Sequence, residues 1–214
     1  MKFYYLAILL IPFVCFAQKT KYIQADDYAI DNALLKNGYD GKEINGIYFI
    51  DQVWFKNDSL KQSILISLYT DYHRIHILHF KNDSVPYDLL PYIQFFKKVS
   101  QSELDTVSPT VTQKNIPIFL KGATTLPKKY FVTKHGLKLG LTKTALLKKC
   151  GAPHSTTTKN NLEVLVWNYP GDQGYTENQK KPQGTLAKNS FGYTLTTFLK
   201  NDQVIALRID NDIP

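Results

Sequence analysis

Cysteine is almost absent from this 214-residue chain: Cys15 and Cys150 are the only two. If Cys15 leaves with a leader, Cys150 stands alone and no internal disulfide can form, so the protein must hold together by its core. Recognisable catalytic signatures are missing as well. There is no G-x-S-x-G elbow, no H-E-x-x-H, no phosphate loop and no dinucleotide fingerprint, so no catalytic residue, cofactor or metal is assigned. The apolar run at the start stops after 15 residues, short of the roughly 18 to 20 that a membrane-spanning helix needs.

That run carries the clearest signal in the sequence. Lys2 is the only charge before Lys19, and Phe3 to Ala17 holds no charge and no amide. Cys15 and Ala17 are the small residues at the positions a signal peptidase reads, so residues 1–17 are expected to be a cleavable secretory signal. Acylation at Cys15 is the alternative. The preceding Pro12-Phe13-Val14 departs from what a lipoprotein peptidase prefers, and cleavage before Gln18 is the reading adopted. The chain is then an exported protein, periplasmic or associated with the outer membrane.

The composition, 43% hydrophobic and 13% aromatic, is that of a globular protein. Its charge is unevenly shared. Residues 18–125 hold 12 Lys/Arg and 12 Asp/Glu, whereas residues 126–214 hold 13 and 6, a balance of +7. Such asymmetry is read first as a solvated basic face that aids solubility; a surface for an anionic envelope component, an acidic protein or peripheral contact with a membrane is the other reading. Nucleic acid is not an expected partner of an exported chain, and the oligomeric state is left open.

Along the chain, an α+β fold in two units is expected, with a boundary near 125/126. The first unit is an antiparallel β-meander: Gly46 to Phe55, Leu60 to Leu68 with period-2 alternation, and Tyr72 to Phe80. A helix from Leu89 to Val99, capped by Asp88, follows it. Residues 100–128, with Pro109, Pro117 and Pro127, read as a linker, Ile116 to Leu120 offering an edge strand. The phrases Asn57-Asp58, Asn82-Asp83 and Asn201-Asp202 each sit after an apolar run and predict strand-to-strand turns. In the second unit Lys128 to Leu139 reads as extended. Thr142 caps a short helix that ends at Gly151 before Pro153, with Leu141 and Leu146 as its staple. Three strands close the chain: Leu162 to Tyr169, Phe191 to Leu199, and Val204 to Ile209. In the last, Ile205, Leu207 and Ile209 are expected on one face and Ala206, Arg208 and Asp210 on the other.

Gly140-Leu141-Thr142, the short helix, Gly151-Ala152-Pro153, then Trp167-Asn168-Tyr169 and a closing hairpin ending in Leu207-Arg208-Ile209 resemble the BamE/SmpA lipoproteins. The resemblance covers about residues 136–210. It implies the two-layer domain, a short helix on a three-stranded antiparallel sheet, that those lipoproteins share with the β-lactamase-inhibitor-protein-like group. It also implies an interaction module, which in the BamE branch supports assembly of β-barrel proteins at the outer membrane.

Four groups of residues invite a chemical role. His73, His76 and His79 would gather on one side of a helix, but a strand splits them, and an ordinary wet-face strand is expected. Cys150 ends a helix, where the dipole disfavours a thiolate, and is read as a packing thiol. Asp26-Asp27 reads as a polar lead-in. The 21 residues between Tyr169 and Phe191 exceed the usual loop length, and Tyr175, Lys180 and Lys181 within them suit recognition of a protein or an anion. With Trp167 and Tyr169 of the W-x-Y motif they make the candidate binding set. The expected function is therefore binding in the cell envelope. An envelope enzyme whose site is assembled from scattered residues is the alternative.

Overall fold

Alternating apolar runs separated by Asn- and Asp-rich turns build most of the protein, and a computed structural model describes residues 21–26, 50–69, 74–93, 109–175 and 184–212. The strands are β1 (Lys21–Ile23), β2 (Ile50–Asn57), β3 (Gln62–Tyr69), β4 (Arg74–Lys81), β5 (Thr124–Thr125), β6 (Ser155–Lys159), β7 (Leu162–Pro170), β8 (Thr185–Ala187), β9 (Gly192–Lys200) and β10 (Gln203–Asp212). Two α-helices, α1 (Pro109–Gly122) and α2 (Lys143–Cys150), and 3-10 turns at Tyr87–Tyr92 and Lys128–Phe131 complete the described elements.

Eight strands form one sheet in the order β5-β2-β3-β4-β10-β9-β7-β6, and β1 pairs β8 in a small parallel ribbon. Apart from the parallel β2–β5 contact, every pairing in the large sheet is antiparallel. The fold is thus mixed α+β, mostly sheet, with no closed barrel among the described residues. The expected meander is present as β2-β3-β4. The segments divided at 125/126 share this sheet, because β4 pairs β10 along seven positions from Arg74↔Asp212 to Phe80↔Ala206. The second half contributes four strands of it, not three: Ser155–Lys159 pairs β7 through the two-residue turn Asn160-Asn161, both at positive φ.

Both faces of the sheet are covered. On one, Ile64, Ile66, Ile75, Ile77, Leu165, Trp167, Leu195 and Leu207 pack with Leu137 and Leu146. On the other, Leu65, Leu78, Phe80, Val164 and Phe198 pack with Leu89, Leu90 and Ile116. Each fully buried Leu or Ile contributes about 1.5–3 kcal/mol of transfer free energy. Double coverage explains why β4 is buried from Ile75 to Phe80. The expected wet face does not exist there: His76 and His79 are buried, and His73 lies outside the described residues.

Several local expectations change for identifiable reasons. Pro109 opens helix α1, and the stretch expected to be a linker with an edge strand is helical through Pro117 to Gly122, with Ile116 buried against the sheet. The helix expected from Leu89 is a 3-10 turn that ends at Tyr92 around Pro91; residues 94–99 lie outside the described residues. Asp88 is not its cap but pairs with Lys159 at 2.6 Å. Asn82-Asp83 leads into this turn instead of a hairpin, whereas Asn57-Asp58 and Asn201-Asp202 do join strands. Lys128 to Leu139 opens with a 3-10 turn at Lys128–Phe131 instead of an extended segment. In β10 a bulge between Val204 and Ala206 inserts Ile205. Ile205 therefore packs on the face opposite Leu207 and Ile209, as an extra residue in one strand requires.

Helix α2 follows its sequence signature. The Thr142 hydroxyl accepts the Ala145 N–H at 3.2 Å, Leu146 is fully buried, and Gly151 closes the helix at φ 76°.

Candidate functional site

Where α2 ends above β7 and β9, the packing leaves a half-open cavity of about 440 Å³. Its apolar wall is Ile23 of β1, Leu137, Trp167 of β7 and Leu195 of β9; its polar lining comes from Asp26, His135, Lys149, Cys150, Tyr169 and Tyr193. Alternation along the strands puts Trp167 and Tyr169, and Tyr193 and Leu195, on this same face.

Trp167 is fully buried, and its indole N–H donates to the Gly151 carbonyl at 3.3 Å. That bond fixes the ring against the end of α2 and satisfies a helix-terminal carbonyl. Tyr169 and Tyr193 stack with ring centroids 6.1 Å apart and planes 10° apart, and His154 meets the edge of Tyr169 at 5.0 Å.

One corner of the cavity is held by a carboxylate. Asp26 is buried at 5% exposure, accepts the Thr133 hydroxyl at 2.5 Å and the His135 N–H at 3.0 Å, and pairs with the His135 ring at 3.0 Å. The expectation of a polar lead-in fails for Asp26, because the turn at Thr133 to Gly136 supplies the donors that a buried carboxylate requires. Asp27 lies outside the described residues.

The protonation of the lining follows from burial. Loss of solvent, with Asp26 nearby, pushes the Cys150 thiol up to about 11, and the adjacent Lys149 only partly offsets this. Burial likewise raises the Tyr169 and Tyr193 hydroxyls. At neutral pH these three groups therefore keep their protons. They offer hydrogen bonds and polarisable surface rather than a nucleophile. The packing role expected for Cys150 agrees with its place against the core.

Of the candidate binding set, the structure brings Trp167 and Tyr169 together in the cavity. Tyr175 is partly buried and lies outside its lining, and Lys180 and Lys181 fall outside the described residues. The loop that carries them is anchored at both ends. Asp172 N–H donates to Ala187 O at 3.0 Å, and β8 within it pairs β1. Sequence reasoning missed Ile23, Asp26, His135, Lys149, Tyr193 and Leu195, which are drawn together only by long-range pairing.

A second, polar recess of about 290 Å³ lies by β4, β9 and β10. Its polar side chains pair with one another: Arg74 with Asp212, and His76 and Arg208 both with Asp210. The Arg208 guanidinium also sits 3.6 Å from the Tyr92 ring centroid. Among the described residues, no three or more His, Cys, Asp or Glu side chains gather as metal ligands, and no helix is long and apolar enough to cross a membrane. Comparison with protein-family models, with curated proteins and with solved structures finds no match.

Proposed function

We propose that this chain is an exported cell-envelope protein that acts by binding, with the cavity between β1, α2, β7 and β9 as its ligand seat. The observation that carries the reading is the chemistry of that cavity: aromatic and aliphatic walls with a thiol and two phenols that hold their protons. A concave, largely apolar site with a few placed polar groups suits a bound ligand. The same protonation disfavours the alternative of an envelope enzyme using Cys150, since a thiol at about 11 is a poor nucleophile at neutral pH.

The role within the envelope follows from the leader at residues 1–17 and from the BamE/SmpA resemblance over residues 136–210. A capped helix before an antiparallel run of strands supports extending that resemblance to an interaction module, in outer-membrane assembly or maintenance. Tyr175, Lys180 and Lys181 would then engage an envelope protein or an anionic component.

The test is recovery from the native envelope. Wild-type protein is expected in the envelope fraction with a mature mass that begins at Gln18, and with a partner or small molecule bound. Replacing Tyr175, Lys180 and Lys181 by Ser is expected to reduce partner recovery without changing the melting temperature. An uncleaved chain in the cytoplasm would overturn the envelope assignment, and unchanged recovery would overturn the role of the loop.

A further inference from the structure

Charge around the cavity is one-sided in a way that its apolar walls do not require. Between residues 106 and 162 the sequence has ten lysines and no aspartate or glutamate. This stretch supplies α2 and the Leu137 side of the cavity. Lys134, Lys138, Lys148 and Lys149 are exposed along it, so the rim is rich in ammonium groups, while Asp26 lies inside the lining.

Lys149 belongs to the lining itself. An ammonium has three donors, and Lys149 gives one to the His135 carbonyl at 3.2 Å. The other two have no partner among the described residues. Asp26, the lining's one carboxylate, is already occupied by Thr133 and His135. Beneath the Lys149 cation the wall is hydrocarbon and aromatic: Ile23, Leu137, Trp167 and Leu195.

We infer that the cavity takes a monoanionic amphiphile of the fatty-acid class, its carboxylate on Lys149 and its acyl chain against Ile23, Leu137, Trp167 and Leu195. One available cation matches a single negative charge, and the apolar wall matches a chain. A charge-assisted bond at the rim orients the ligand, and chain burial provides most of the affinity. This inference rests on the cavity being the ligand seat.

The experiment titrates the mature protein with decanoate, decanol and decylamine by calorimetry, in wild type, Lys149→Gln and Lys149→Arg. Decanoate is expected to bind about ten-fold more tightly than decanol, a difference within the range of one charge-assisted hydrogen bond, and decylamine least. Lys149→Gln is expected to abolish the preference for decanoate and leave decanol unchanged, whereas Lys149→Arg retains it. Equal binding of all three ligands would overturn the inference while leaving the cavity as a seat. Binding of none would overturn both. A decanoate preference that survives Lys149→Gln would overturn the assignment of the head group to that residue.

Discussion

Asp26 accepts the His135 backbone N–H at 3.0 Å across 109 residues of sequence, and the bond ties the segment after β1 to a wall of the cavity. With the Thr133 hydroxyl on its other oxygen, this carboxylate links the start of the described chain to its centre. Replacing it should uncouple the two. Asp26→Ala strands the Thr133 hydroxyl and the His135 N–H and is expected to cost about 2–4 kcal/mol. Hydrogen exchange should show β1 and β8 losing protection while β3, β4 and β10 keep theirs. Equal loss across all strands would contradict the local role.

His79 predicts an acid-sensitive core. It is fully buried beside Phe131, bonds Gln62 at 2.9 Å, and burial lowers its value from 6.5 to about 3. Because the folded state resists a proton that the unfolded chain accepts, the stabilisation is complete above about pH 6.5 and is lost as pH falls towards about 3. The loss is at most about 1.4 kcal/mol per pH unit in that window. Melting temperatures measured from pH 7 to pH 4 should therefore fall more steeply for wild type than for His79→Gln. Parallel curves would show that His79 does not titrate on unfolding.

The Cys150 thiol offers a chemical readout of the site. At about 11 it carries little thiolate at pH 8, and alkylation by iodoacetamide should run roughly 100-fold slower than for a free thiol near 8.5. The rate, followed on the Cys150 peptide by mass spectrometry, should rise about ten-fold per pH unit up to pH 10. Fast labelling at pH 7 would indicate an activated thiol and favour the enzyme alternative.

Gly171 sets how closely the loop ends approach. A Cβ there would stand 1.9 Å from the Ser190 carbonyl oxygen and 2.3 Å from the Phe191 carbonyl carbon, both backbone atoms that cannot swing aside. Gly171→Ala is expected to push residues 184–191 away from β7 and to expose them to proteolysis. Unchanged proteolysis and stability would mean that the approach is looser than described.

What the sequence made legible was local. The Thr142 cap, the Gly151 stop, the meander strands and the closing hairpin depend on residues a few positions apart, so their chemistry can be read in order. The helix through Pro117 was hidden because its prolines resemble linker punctuation, whereas its burial of Ile116 against the sheet is a tertiary effect. Ile205 was assigned to the wrong face because a bulge shifts alternation by one residue without a composition signal. Little of the candidate site was visible: two residues of the binding set line the cavity. Trp167 and Tyr169 stood out through the W-x-Y motif, but Asp26, His135 and Lys149 meet only through contacts that no spacing rule anticipates.

A ligand seated in the cavity must lie over Trp167. Heteronuclear NMR of residues 18–214 during a decanoate titration tests it directly, through the Trp167 indole N–H and the methyls of Ile23, Leu137 and Leu195. Saturable shifts are expected at these four residues, with the Trp54 indole and the Leu65 and Leu78 methyls unmoved. No saturable shift at the four, or shifts confined to Trp54, Leu65 and Leu78, would contradict it.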